Sequence, residues 1–242
     1  MLGVNRDGDV VGIELQREDR RNALNTDMVI ALREAVLAAV AEDARAVVIS
    51  GRGKVFSAGA DLSGIYSENF LDELLAMLHT IEAAPVPVIS AIHGAAYGAA
   101  VQLALASDLR VVDPDAYIAI PAARLGVTVD RWTAHRLAAL IGGGPARTVL
   151  LGAEQISAAD AYTFGFANKL GTVADAHTWA KSIAELAPLS LRHLKLVLND
   201  DGTRQPENAQ QRAALAAAWG SEDAAEARLA REQKRAPRFV GR

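Results

Sequence analysis

Two short runs of small residues, Phe56-Ser57-Ala58-Gly59-Ala60-Asp61 and His93-Gly94-Ala95-Ala96-Tyr97-Gly98-Ala99-Ala100, each stand between a strand-like apolar run and a helix-like one. Glycine and alanine let another molecule approach the main chain, and a helix that follows leaves its first N–H groups unpaired at the positive end of its dipole. Two such N–H groups converging from separate segments make an oxyanion hole, which stabilises the negative charge that a carbonyl oxygen gains in enolate or acyl chemistry. One turn into the second helix-like run stands Gln102, where proton transfer calls for an acid.

The elements that must hold these loops alternate. Short β runs at Val10–Leu15 and Ala46–Ser50 flank an amphipathic helix over Asp27–Glu42, in which Met28, Val29, Leu32, Val36, Leu37 and Val40 share a face and Thr26 or Asp27 supplies the N-cap. Further strands are predicted at Val88–Ile92, Leu109–Val112, Tyr117–Ile120 and Lys169–Val173, with helices near Glu68–Glu82, Ala99–Ala106 and Trp132–Ile141. Beyond about Asp175 strand signals stop, and Ala/Leu-rich helical patterns cover Ala176–Leu186, Leu189–Leu198, Gln210–Trp219 and Ser221–Lys234. The chain therefore divides into an α/β core over 1–185 and a helical C-terminal subdomain over 186–242.

A chain of 242 residues with 51% hydrophobic content supplies a sizeable core. A net charge of −4, with Lys and Arg scattered, offers nucleic acid no broad basic surface. With no cysteine, disulfides, thiolate catalysis and Cys-ligated metals are excluded, and the five histidines have no metal-binding spacing. No metal or separate cofactor is expected. The N-terminal residues lack an apolar signal core, which points to the cytoplasm. The uncharged stretch Ala83–Ser107 is long enough to span a bilayer, but Pro85, Pro87, Gly94 and Gly98 break it into strand, loop and helix start, so no transmembrane segment is expected.

Four segments taken in order resemble the enoyl-CoA hydratase/isomerase family, the crotonase superfamily: Arg21-Asn22-Ala23-Leu24-Asn25, the Phe56–Leu62 loop, Gly94–Ala100 with Ser107-Asp108-Leu109-Arg110, and Glu232–Phe239. The chain is similar in particular to mycobacterial members. The resemblance implies a crotonase-like spiral of ββα units with a C-terminal helical trimerisation region, assembled as a homotrimer or a dimer of trimers. It implies acyl-CoA thioester as ligand or substrate, its thioester oxygen held by the N–H groups of Ala60 and Ala99. The surrounding loop residues Ala58, Gly59, Asp61, Leu62 and Gly98 then form part of the ligand site. Arg20 and Arg21 fall where the family approaches the CoA pantetheine and phosphates, Lys234 and Arg235 where it reaches CoA phosphates, and Trp132 at the acyl-pocket mouth. Without the resemblance, Trp132 reads as packing and the four basic residues as solvated charge.

Hydratases of the family use two glutamates, and this sequence has Gln102 and Ala122 at those positions. A glutamine amide can hold a water but cannot take or give a proton at neutral pH. Asp130 matches a catalytic aspartate of the dienoyl-CoA isomerase branch, and equally suits the N-cap of the helix that follows it. His93 reads as a structural loop residue or a base. The lysine that many hydratases carry soon after the loop aspartate is absent, and Ser63–Phe70 is expected to set the depth of the acyl pocket.

Three functions follow. The first is an acyl-CoA-binding protein of fatty-acid or lipid metabolism with little or no hydratase activity, with fatty-acid or mycolic-acid synthesis proteins as partners. The second is an active hydratase or isomerase using Asp130, with Gln102 positioning substrate or water. The third is a trimeric scaffold that has lost its ligand.

Overall fold

The computed structural model describes residues 1–62 and 69–241. β1 (Leu2–Asp7) and β2 (Val10–Leu15) form an antiparallel hairpin turned at Gly8, whose φ is +62°. There follow α1 (Thr26–Ala41), β3 (Ala46–Gly51), α2 (Phe70–Ala83), β4 (Val88–Ile92), β5 (Ala95–Tyr97), α3 (Ala99–Ala106), β6 (Leu109–Val112) and β7 (Tyr117–Ala119). The rest is mostly helical: α4 (Arg131–Ile141), α5 (Gly143–Leu150), β8 (Ile156–Ser157), α6 (Ala158–Thr163), β9 (Lys169–Leu170), α7 (Val173–Ala184), α8 (Pro188–Asn199), α9 (Ala209–Trp219) and α10 (Glu222–Glu232).

Among the described residues there is a six-stranded sheet in the order β1-β2-β3-β4-β6-β9, parallel from β2 onward, and a three-stranded sheet in the order β5-β7-β8. The period-2 alternation of the strands sorts their side chains between two cores. Val11, Ile13, Leu15, Val47 and Ile49 join the larger core with buried residues of α1, α2 and α3. Val10, Ala46, Val48, Ile89 and Val111 pack instead with Ala176, Ala180 and Ile183 of α7. Covered on both faces, β3 and β4 are buried throughout and mostly apolar, Ser50 and Ser90 being their polar members.

Several boundaries differ from the sequence expectations. The cap of α1 is Asn25, whose side chain accepts from the Met28 N–H at 3.0 Å, so the helix starts at Thr26. Leu37, expected on the core face, is exposed. The strand expected over Lys169–Val173 stops at Leu170, because Thr172 and Asp175 form a capping box that starts α7. The expected helix start at Glu68 and most of the pocket-depth segment from Ser63 lie outside the described residues. The uncharged Ala83–Ser107 stretch supplies β4, β5 and α3, and no described helix is long and apolar enough to cross a membrane.

α8 is pinned to the sheet by a buried lysine. Lys195 Nζ donates to Asp108 Oδ2 at 2.7 Å and to the carbonyls of Ile81 and Val86, both at 3.1 Å. Burial raises the Asp108 carboxyl from its usual range, while Lys195 and the Val88 N–H pull it back. Lys195→Met would leave that carboxylate without its counter-ion. Breaking such a pair from one side costs about 3–5 kcal/mol, and urea unfolding should show a loss near the lower figure, because Arg110 stays nearby.

Candidate functional site

Two consecutive residues of left-handed backbone set up the first loop. Arg21 and Asn22 have φ of +51° and +55°, and Asn22 is held there by its own side chain. Its amide donates to the carbonyls of Arg52 (2.8 Å) and Val55 (3.0 Å), and its Oδ1 accepts from the Arg17 N–H (3.0 Å). The Ser57 hydroxyl donates to the Asn22 carbonyl at 2.7 Å and accepts from the Gly59 N–H at 3.1 Å. Behind the loop, Asp61 pairs with Arg17 at 2.7 Å.

The main-chain donors of residues 56–61 can be counted one by one. Phe56 N–H goes to His93 O, Ser57 to Ala95 O, Ala58 to Arg21 O and Asp61 to Leu24 O, while Gly59 serves Ser57. Ala60 N–H is left without a partner among the described residues. On the second loop Tyr97 N–H goes to Ser57 O and Gly98 N–H to Ala119 O. Ala99, the first residue of α3, also keeps an unpartnered N–H among the described residues.

The reciprocal bonds between Ser57 and the Ala95–Tyr97 segment hold the loops side by side, in a parallel bridge of Ser57 with Ala96. A Cβ on Gly59 (φ +86°) would lie 2.2 Å from the Tyr97 carbonyl oxygen and 3.3 Å from Ala99 N, so only glycine permits this approach. Both Ala60 and Ala99 line a cleft of about 200 Å³. Ala58, Leu62, Gly98, Gln102 and Asp130 line it too.

The walls are apolar, with Leu74 and Leu75 of α2 on one side and Leu215 and Trp219 of α9 on another. Ala122 lines it without bringing a polar group. The floor is polar. Gln102 Nε2 donates to Thr133 Oγ1 at 2.7 Å and lies 3.5 Å from Asp130 Oδ1, and the Thr133 hydroxyl donates to the same Asp130 oxygen. Asp130 also caps α4, accepting from the Thr133 N–H at 3.3 Å. The two readings of Asp130 are therefore not exclusive, since one carboxyl both caps the helix and faces the cleft.

Other residues singled out from the sequence sit elsewhere. Gly59 and Asp61 lie behind the lining they support. Arg20 and Arg21 are exposed, Arg20 standing 3.8 Å from Asp19, and Arg21 contributes its carbonyl to the loop. Trp132 does not line the cleft. It is buried, donates to Glu82 Oε1 at 3.3 Å and lies under the Arg204 guanidinium, 4.2 Å from the ring centre. Lys234 is exposed. Arg235 grips Glu226 through two bonds of 2.5 and 2.9 Å, which together with the Arg238 N–H hold the Glu226 carboxyl at about 2. His93 also stands outside the lining, its Nε2 3.0 Å from the Gly53 carbonyl.

Trp219, Leu215 and Thr133 were not singled out in the sequence. Leu215 and Trp219 are one helical turn apart, which marks a shared face, but in an Ala-rich helix that spacing does not say which surface it meets.

The chain matches the enoyl-CoA hydratase/isomerase family over residues 5–242. It is 46% identical over 242 residues to "Probable enoyl-CoA hydratase echA6" of Mycobacterium tuberculosis, with all of both chains covered. To the protein of the same name from Mycobacterium leprae it is 45% identical over 246 residues, again with full coverage of both. Among solved structures it superposes on a methylmalonyl-CoA decarboxylase in complex with 2-nitronate-propionyl-CoA with a TM-score of 0.92 and 26% identity, covering 100% of this chain and 98% of the other. The chain belongs to the enoyl-CoA hydratase/isomerase family and has the crotonase fold.

Proposed function

We propose that the protein binds acyl-CoA thioesters, Ala60 and Ala99 N–H holding the thioester oxygen and the acyl group lying in the apolar cleft, with little or no hydration of enoyl-CoA. The observation that carries this reading is the pairing of two unpartnered N–H groups with a floor that offers Gln102 and Ala122 at the positions where the resemblance expects glutamates. The decarboxylase of the same fold is itself solved with a CoA ligand. Such a protein would act as a carrier, sensor or delivery protein in fatty-acid metabolism, including fatty-acid or mycolic-acid synthesis. Exposed Leu189, Val197 and Leu198 on α8 support assembly as a homotrimer or dimer of trimers.

A second reading, an isomerase or hydratase using Asp130, is favoured by one observation, the placement of that carboxyl in the cleft beside Gln102. Calorimetric titration with octanoyl-CoA, run alongside a crotonyl-CoA hydration assay of the same preparation, separates the two. Binding without turnover supports the first; turnover that Asp130→Asn abolishes while binding survives supports the second.

A further inference from the structure

Beside the cleft lies a second, larger space. The cleft, at about 200 Å³, is small against the roughly 300–1,000 Å³ of an ordinary ligand pocket. Leu75 of α2, Leu215 of α9 and Asp130 line it, and all three also line an open groove of about 640 Å³ that runs from α2 to the start of α4 and the 203–207 connection. Both leucines are only half-buried, and no residue of α9 is fully buried. The partition between the two spaces is therefore a thinly packed one, of the kind that yields to a chain pressed against it.

The groove differs from the cleft walls in character. Arg204 Nε donates to Glu82 Oε2 at 2.5 Å, with the guanidinium over the Trp132 ring, and Arg204 Nη1 keeps its hydrogens free among the described residues. The charged side chains around the groove are Arg131 and Arg204 against Glu82, Asp130 and Glu207, an excess of one carboxylate. His79 is held below its usual value, first by burial and then by Arg204, and adds no positive charge near neutral pH. A methyl group gains little from such walls, and a further carboxylate meets repulsion. A hydroxyl, donor and acceptor at once, suits both the free Arg204 N–H groups and the carboxylates beside them.

We propose that the cleft and the groove together bind acyl thioesters long enough to pass Leu75 and Leu215 and bearing a hydroxyl at the far end of the chain, where Arg204 donates to it. The proposal rests on the acyl-CoA-binding reading. It carries a signature that depends on length. A terminal hydroxyl on a short chain stops among the apolar walls, where an unpaired polar group costs free energy, so it weakens binding. On a chain that reaches the groove the same hydroxyl strengthens binding, by about tenfold for one neutral hydrogen bond.

The test is calorimetric titration of the full chain with pairs of plain and ω-hydroxy acyl-CoAs from octanoyl to hexadecanoyl, together with the ω-carboxy compound of each length. The ratio of ω-hydroxy to plain affinity should lie below one for the shortest pair and rise to about ten as the chain lengthens, with the ω-carboxy compound weaker than its hydroxy partner throughout. Arg204→Met combined with Glu82→Gln, which leaves no buried charge unpaired, should bring the long-chain ratio back to about one. Leu215→Trp should hold the ratio below one at every length. Its indole has room, since Leu215 also borders a third cavity against α4, and a helix without buried residues tolerates the change. A native ratio at or below one at all lengths, or tighter binding of the ω-carboxy compounds, overturns the proposal and leaves acyl-CoA binding standing. No binding of any of the compounds overturns the acyl-CoA reading itself, and the proposal with it.

Discussion

Gln102→Glu combined with Ala122→Glu is expected to raise crotonyl-CoA hydration at least about a hundredfold over the native protein, since each general acid or base commonly contributes a hundredfold or more. Both side chains line the cleft, so the two new carboxyls face the volume that the apolar walls enclose. The single variant Gln102→Glu should do less, and its pH dependence should show why. The new carboxyl would replace an amide lying 3.5 Å from Asp130 Oδ1, and two carboxylates at that distance do not both ionise readily. The pair should therefore share a proton into the weakly acidic range, with activity changing as it is lost. A double variant that folds, binds octanoyl-CoA and still shows no hydration would mean that carboxyls at these two positions are not enough for hydration.

Gly59→Ala should weaken octanoyl-CoA binding more than tenfold and lower stability by about 2–4 kcal/mol, combining an unfavourable left-handed φ with a direct backbone clash. The added methyl would meet the Tyr97 carbonyl oxygen at 2.2 Å, and relieving that contact means parting the two loops whose alignment places Ala60 beside Ala99. Gly202→Ala is the matched control. That glycine has a similar φ of +76° but nothing within 4 Å of the added carbon, so it should lose about 1 kcal/mol and leave binding alone. Calorimetry and urea unfolding on the two variants would separate strain from clash. Equal behaviour would mean that the loop contact does not govern the site.

The parts legible in the sequence are those with dense local signals. β3 and β4 are rich in β-branched residues, α3 follows a glycine-rich turn, and the two small-residue loops stand out as places for main-chain donors, while the assignment of those donors to Ala60 and Ala99 comes from the family resemblance. β1 went unread because it is an exposed edge with polar residues, fixed by its pairing with β2. α5 was hidden by Gly143-Gly144-Pro145, which reads as a break yet falls in the first turn, where a missing N–H costs nothing. Two of the three tryptophans show the limit most plainly. Trp132 follows the Asp130 cap by two residues and Trp219 ends an alanine-rich helix, and only the docking of α9 over the cleft decides that the second, not the first, faces the space. Lys234 and Arg235 carry positive charge in any reading of the sequence, but that Arg235 spends its charge on Glu226 is a fact of tertiary folding.

The bridge between Ser57 and Ala96 has a consequence for how such a protein changes over time. The donors at Ala60 and Ala99 belong to the main chain, so the side chains of those two residues do not supply them, and their alignment is kept by main-chain pairing together with the bare backbone of Gly59. The groups that would move protons belong to side chains, each encoded by a codon of its own. Point substitutions can therefore erase proton transfer one residue at a time while the grip on a carbonyl oxygen persists, so a lineage can pass from catalyst to carrier without refolding.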